Sequence, residues 1–218
     1  MIRVMIVDDH KLVRIGTRRL LEDVARIEVV VDVDSGEEAV DLVRRLQRDV
    51  VLMDVQMPGI GGLEATRRCL RAYSETKVLN VTIYEEEPYP SKLLSVGASG
   101  YLTKGADADE MVLAIKKVIS EQSYVCAEIA QQLALRPFTE AQTSPFEQLS
   151  AREMQITPMV IMGQKVQKVQ EISERLSLSP KTVNSYRYRV FEKLDLRNDV
   201  GLMRLVIKHG LIDAEAAA

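Results

Sequence analysis

Cysteine and histidine are scarce in this chain, two of each in 218 residues. Cys69 and Cys126 lie far apart, with no CxxC spacing and no histidine cluster beside them, so neither a disulfide framework nor a thiolate metal site is supported. Reduced, buried thiols are the expected state. No apolar run approaches the length that spans a bilayer, and the N-terminal stretch is too short for a signal sequence and ends in the acids Asp8-Asp9. A cytoplasmic location is therefore expected. Repeats of domain scale and a bias toward disorder are also missing, which leaves an ordinary globular composition suited to two small domains. His10 has no second histidine nearby and reads as a solvated loop residue.

What is present falls into two patterns. From residue 1 to about 120, apolar runs (Val4 to Val7, Val29 to Val31, Val50 to Met53, Val78 to Val81, Tyr101-Leu102) alternate with stretches of helical period (Leu12 to Leu21, Gly36 to Leu46, Leu63 to Ala72, Pro90 to Val96, Ala108 to Ile119). Five βα units of this kind predict a five-stranded parallel, doubly wound α/β sheet of flavodoxin-like type, with strand order 2-1-3-4-5. Ser35 with Glu38 forms a capping box ahead of the second helix. Residues 121–149 carry Pro137, Thr139, Thr143, Ser144 and Pro145 around one short amphipathic piece, Glu128 to Leu135, the composition of a linker. Residues 150–212 then show four helical stretches, near 151–162, 167–176, 180–194 and 199–208. The expected organisation is an α/β domain over 1–120, a linker over 121–149 and an all-α domain over 150–212.

The net charge of −3 conceals an asymmetry. Residues 164–208 hold ten Lys or Arg against five Asp or Glu, so this segment is basic and the remainder carries −8. A basic segment on an acidic protein is the footprint of a part that approaches phosphate.

Four polar sites trail apolar strands: Asp8-Asp9, Asp54, Thr82 and Lys104. In an open parallel sheet the carboxyl ends of the strands converge on one crevice, so these residues are expected together. Three carboxylates there would repel and hold protons unless a cation compensates. A hard divalent ion, Mg²⁺, suits such a set because it takes oxygen ligands and keeps room for phosphoryl oxygens. Asp9 and Asp54 are the expected direct ligands, with the Gln56 backbone carbonyl, and Asp8 acting through water. Lys104 and Thr82 are placed to hold the same phosphoryl group.

In the basic segment, Ile172 to Leu176, Ser177-Leu178-Ser179 and Pro180-Lys181-Thr182-Val183 read as helix, tight turn and helix, with Ser179 as N-cap and Pro180 at the first helical position. Val183, Tyr186 or Arg187, Val190 and Leu194 make the buried stripe. The outward face offers cations for phosphates and amide or hydroxyl groups for base edges. Asn184, Ser185 and Tyr188 are the candidate base readers, and Lys181, Thr182, Arg187, Arg189 and Lys193 the candidate backbone contacts. Asn198 reads as the N-cap of a last helix whose Val200, Leu202, Met203, Leu205, Val206 and Ile207 exceed what one core face requires. Core packing and a dimer face both remain open for it.

The motifs Val-Asp-Asp-His, Leu-Met-Asp-Val-Gln-Met-Pro-Gly-Ile-Gly-Gly-Leu-Glu and Gly-Tyr-Leu-Thr-Lys resemble a receiver domain. The whole chain resembles two-component response regulators of the NarL/FixJ class with a LuxR-type output domain. Ala-Gln-Gln-Leu and Leu-Ser-Pro-Lys-Thr-Val-Asn-Ser-Tyr-Arg-Tyr-Arg resemble the GacA/UvrY group within it. The resemblance implies that Asp54 is the phosphoacceptor for a sensor histidine kinase, GacS/BarA-like, with Mg²⁺ and Lys104 neutralising the transferring group. It further implies that Thr82 and Lys104 close on the product while Tyr101 turns inward as a switch. The outcome would be release of the helix-turn-helix, homodimerisation and binding of double-stranded promoter DNA. Such a protein is no enzyme beyond its own phosphorylation and dephosphorylation.

Two other classes fit the sequence less well. A phosphatase with an Asp nucleophile usually carries Asp-x-Asp on its first strand, whereas here the acids are adjacent. A receiver with a protein-binding tail is disfavoured by the basic segment with Asn184 and Tyr188. Departures from the family pattern stand out as well. Ile83 is bulky beside Thr82 and is expected to slow small phosphodonors, and Gly105 stands where proline is common. Pro158 is expected to kink or break its helix. A Lys-Val-Gln unit between Gly163 and Glu171 looks like an insertion, accommodated by an extra helical turn or a longer loop.

Overall fold

The structure, a computed structural model, describes residues 1–46, 49–83, 89–135, 144–161, 167–196, 198–209 and 211. These form two compact units, divided near residue 135.

The first unit alternates strands and helices: β1 (Ile2–Val7), α1 (Lys11–Glu22), β2 (Ile27–Val33), α2 (Gly36–Leu46), β3 (Val50–Asp54), α3 (Gly61–Ala72), β4 (Lys77–Thr82), α4 (Tyr89–Ser95), β5 (Gly100–Thr103), α5 (Ala108–Ile119), β6 (Tyr124–Val125) and α6 (Ala127–Leu135). All neighbouring strands pair in parallel, in the order β2-β1-β3-β4-β5-β6. The expected order 2-1-3-4-5 is present, with one strand more than the sequence pattern showed. Two residues are too short to display a period. What admits β6 is Gly100, where a Cβ would fall 2.5 Å from the Tyr124 carbonyl oxygen. The Tyr124 hydroxyl ties the added strand to α5 by donating to Glu110 Oε1 at 2.9 Å.

Side chains alternate across the sheet, and each face has its own core. Val4, Ile6, Val50, Leu52, Leu79 and Leu102 pack with Leu21 of α1 and with Met111, Ala114, Ile115 and Val118 of α5. Met5, Val7, Val33, Val51, Met53 and Val78 pack with Ala39 and Val43 of α2 and with Ala65 and Cys69 of α3. Every residue of β3 is buried. Asp54 closes that strand, so the sheet's most enclosed element delivers it.

The second unit is helical: a 3-10 turn (Pro145–Gln148) precedes α7 (Ala151–Ile161), α8 (Gln167–Leu176), α9 (Pro180–Lys193) and α10 (Asp199–Lys208). The expected break at Pro158 does not occur, because α7 continues to Ile161. Met154, Ile156, Val160 and Ile161 are buried on both sides of the proline, and this burial offsets the lost backbone hydrogen bond. Ser150 and Glu153 form a reciprocal cap at the start of α7: Glu153 Oε2 accepts the Ser150 N–H at 2.8 Å, and Ser150 Oγ accepts the Glu153 N–H at 3.3 Å. Ser177 turns the chain between α8 and α9 at φ 52°. The Ser179 and Asn198 caps form as read, accepting from Thr182 N at 3.1 Å and Gly201 N at 2.9 Å. The first Lys-Val-Gln triplet, with its proposed insertion, falls largely in 162–166, outside the described residues; α8 starts at Gln167.

Candidate functional site

Parallel register brings Val7, Met53 and Asp54, Thr82 and Thr103 to one edge of the sheet. The residues just beyond these ends meet there. Lys104 Nζ lies 2.7 Å from Asp8 Oδ2 and 2.9 Å from Asp54 Oδ2, a bridge between carboxylates that are almost wholly buried. The Gln56 N–H donates to Asp54 Oδ1 at 3.2 Å. Thr82 is fully buried, and its carbonyl accepts the Lys104 N–H at 2.8 Å. Tyr101 is fully buried on β5, opposite Asn80 of β4, so its ring already lies inside. Ile83 stands 65% exposed beside Thr82. A Cβ at Gly105 would meet only Thr103 Oγ1, at 3.7 Å.

Electrostatics in the crevice pull two ways. Burial raises the Asp54 carboxyl to about 6 from its ordinary 3.8, Lys104 opposes this, and Asp8 adds to it. For Lys104, burial disfavours the charge, yet its hydrogen bonds and attraction to Asp8 and Asp54 prevail and raise it. The single ammonium does not fully balance the acids. Asp8, Asp9, His10 and Asp54 each present one ligand atom, all within 4.8 Å of one another, an arrangement that could hold a metal ion. Asp9 Oδ1 is buried with no hydrogen-bond donor, although His10 Nδ1 lies 2.9 Å away. An orphaned carboxylate oxygen in such a group fits a hard divalent cation. His10 is not simply a solvated loop residue, since its N–H donates to Asp8 Oδ1 at 2.8 Å and its mostly exposed ring leans on both acids.

Several supporting residues escaped the sequence reading. Arg14 of α1 donates to the Asp8 carbonyl at 2.7 Å and to Asp32 Oδ2 at 3.2 Å. Arg18 holds the same Asp32, whose carboxyl it keeps below the usual range despite some burial. Glu37 of α2 accepts the Ile60 N–H at 2.9 Å, pinning the loop after Asp54. Gly62 permits the closest approach in the unit, since a Cβ there would lie 2.0 Å from the Asp54 carbonyl oxygen. Its N–H donates to the Val55 carbonyl at 2.9 Å. Behind Asp54, Asn80 Nδ2 donates to Thr66 Oγ1 at 3.1 Å and more weakly to the Met53 carbonyl at 3.4 Å.

On α9 the expected stripe packs inward: Val183 and Val190 are fully buried and Leu194 nearly so. Lys181, Asn184, Ser185, Tyr188 and Arg189 face solvent and, with Glu192, line one open depression. Thr182 is half-buried and its hydroxyl meets Ser179 Oγ at 2.7 Å. Two cations do not join this face. Arg187 Nη2 contacts both oxygens of Asp199 at 2.8 and 2.9 Å. Lys193 Nζ lies 2.6 Å from Glu153 Oε2 and donates to the Gln148 carbonyl at 3.1 Å. Glu153 is nearly inaccessible; burial works against its charge, but Lys193 and Ser150 prevail and hold its carboxyl below the usual range. Carboxylates on neighbouring helices already pair with both of these cations.

Residues 4–116 match the model of the response regulator receiver domain, and residues 147–206 that of the bacterial regulatory proteins of the luxR family. The chain is 55% identical to the response regulator GacA of Pseudomonas viridiflava over 99% of its own length and all of that protein. It is 53% identical to the response regulator UvrY of Escherichia coli strain K12, over 99% of this chain and 98% of that protein. Among solved structures, RcsB of Salmonella typhimurium shares the fold, with TM-score 0.71 at 20% identity, over 95% of this chain and 97% of that one. With an acidic crevice in its α/β unit and a helix-turn-helix in its second, the chain belongs to the response regulators that join a receiver to a luxR-type DNA-binding domain, and it is a phosphorylation-activated transcription regulator.

Proposed function

We propose that Asp54 accepts a phosphoryl group from the phosphohistidine of a sensor histidine kinase, and that this event frees the helix-turn-helix for sequence-specific promoter binding. The carrying observation is the buried Asp54 carboxylate, held between Lys104 and the Asp8-Asp9 pair. Asp8, Asp9 and Asp54, with the Gln56 carbonyl, are the residues that would hold Mg²⁺. When bound, the ion supplies positive charge for the transferring oxygens and lowers the Asp54 pKa. The chain's own residues do the rest. Lys104 neutralises charge on the phosphoryl oxygens, the Thr82 hydroxyl donates to them, and Arg14 and Glu37 hold the two loops in place. Tyr101, whose ring already lies inside on β5, would report the change to the face of α4, β5 and α5 through its packing and not by an inward turn. Catalysis extends only to the protein's own phosphorylation and dephosphorylation.

Asn184, Ser185 and Tyr188 read base edges, while Lys181, Thr182 and Arg189 contact the phosphate backbone. The functional divisions are a receiver read from the sequence as 1–120, to which β6 and α6 add the first part of the expected 121–149 linker as far as Leu135, and an output domain over 150–212. Identity to GacA and UvrY supports a GacS/BarA-like kinase, a homodimer in the phosphorylated state and residence in the cytoplasm. No helix among the described residues is long and apolar enough to cross a membrane.

The test is phosphorylation of purified protein by a histidine kinase with and without Mg²⁺, followed by intact-mass measurement. A single phosphoryl adduct should form only with the metal, and Asp54→Asn should abolish it. An adduct of equal yield on Asp54→Asn would overturn the assignment.

A further inference from the structure

We propose that Arg187 acts as a positioning residue for DNA recognition, clamping the recognition helix α9 to α10 through Asp199, and that it is not a phosphate contact. The inference rests on the DNA-binding reading of α9 above. Arg187 lies at the border between the buried stripe and the exposed face of α9, half-buried beside Tyr186. Its Nη2 contacts both Asp199 oxygens, and its guanidinium carbon stands 5.4 Å from the Phe191 ring centroid. The Nε is buried and has no hydrogen-bond partner. The guanidinium is thus held at Nη2, lies beside a ring and is enclosed at Nε, with its side chain 37% exposed.

Asp199 suits the complementary role. It is the first residue of α10, directly after the Asn198 cap, where the positive end of the helix dipole favours its carboxylate. Turning Arg187 outward would strand that carboxylate, whose side chain is only 21% exposed. The cost would oppose any gain from a phosphate. Lys181 and Arg189, on the exposed face, have no such acidic partner among the interactions described.

The clamp also lies where alignment matters. Asn184 and Tyr188 flank Arg187 within one helical turn. Hydrogen bonds to base edges tolerate errors of only about half an ångström. Fixing this turn to α10 therefore fixes the reach of both candidate base readers, so losing the clamp should cost discrimination between sequences more than general attraction to DNA.

Full-length protein offers a direct test by fluorescence anisotropy, using a duplex selected by the wild type and a scrambled duplex over a range of salt concentrations. Each variant is measured at a temperature where circular dichroism shows it folded. Lys181→Gln should flatten the dependence of log affinity on log salt by about 0.9, the loss of one phosphate contact. Arg187→Gln should leave that slope within error and lower the preference for the selected duplex about three- to tenfold. Asp199→Asn, which keeps the Arg187 charge, should lower the preference equally. The double variant should be no worse than either single one, as expected for two halves of one interaction. Arg187→Lys should recover part of the preference. If Arg187→Gln flattens the slope like Lys181→Gln, or Asp199→Asn tightens binding, the clamp is overturned. If Arg187→Gln cannot be kept folded, Asp199→Asn decides alone. A wild type that shows no salt-dependent DNA binding would overturn the underlying reading first, before any variant is compared, and the clamp with it.

Discussion

The receiver crevice and the recognition helix both gather polar side chains, but they manage charge in opposite ways. In the crevice the charges face one another: Asp54 is 3% exposed, Lys104 bridges it to Asp8, and burial leaves the Asp54 carboxyl harder to ionise than usual. On α9 the recognition face opens to solvent, and Tyr188 is 70% exposed. Two of its cations, Arg187 and Lys193, pair with carboxylates of neighbouring helices. A site that must accept a charged group keeps an unbalanced, enclosed charge in reserve. A surface that must meet a polyanion keeps its free cations in water and uses others as braces.

This contrast can be broken or sharpened by substitution. The largest effect is expected at Gly62, where a Cβ would be driven into the Asp54 carbonyl at 2.0 Å. Gly62→Ala should destabilise the receiver by roughly 3 kcal/mol in urea unfolding, by analogy with overpacking, and should slow Asp54 phosphorylation even where the protein stays folded. Next comes the brace on α7. Lys193→Met leaves Glu153 buried and unpaired, at a cost of roughly 2 kcal/mol after allowing for the partly exposed lysine. Lys181→Met should leave unfolding nearly unchanged. Equal losses at both positions would erase the distinction between brace and free cation.

The crevice makes a prediction of opposite sign. Without metal, folded Asp54 holds its proton up to about pH 6, whereas an ordinary aspartate releases it near 3.8. The folded state is therefore relatively favoured below pH 3.8 and loses that advantage as pH rises to about 6. Above pH 6 a constant penalty remains. Asp54→Asn removes it, so this variant should be more stable than wild type by up to about 3 kcal/mol at pH 7.5, with the difference vanishing near pH 4. Excess Mg²⁺ should narrow the gap by stabilising the wild type. The smallest effect concerns Ile83. Trimming its exposed side chain in Ile83→Ala should speed phosphorylation by small donors such as acetyl phosphate a few-fold, and an unchanged rate would show that Ile83 does not obstruct the crevice.

Much of the crevice was legible because parallel topology obeys a simple rule. Asp8, Asp54, Thr82 and Lys104 each follow an apolar strand, and strand ends on a parallel sheet converge. The α9 stripe was legible from helical period for the same kind of reason. Arg14 and Glu37 were not: Glu37 accepts from a backbone N–H 23 residues away, and Arg14 reaches back to the Asp8 carbonyl across the turn from β1 into α1, which neither a helical nor a strand period reports. His10 stands exposed before α1 as read, and its contacts with the neighbouring acids depend on the turn into that helix. Of the kink or break expected at Pro158, the break is absent, because local propensity counts the lost hydrogen bond and not the burial around it.

By itself the sequence determined the two-part organisation, the identity of the strand-end residues and which face of α9 carries polar groups. These follow from periods of two and 3.6 and from the composition between them. Only tertiary structure decided which charges are free. Residues at the border of a helical face can point to water or to a neighbour, and Arg187 and Lys193 pair with the carboxylates of Asp199 and Glu153. The enclosure of Asp54 likewise depends on strands on both sides of β3 and on Gly62 behind it. Burial and pairing are properties of distant segments brought together, and for that reason no local pattern encodes them.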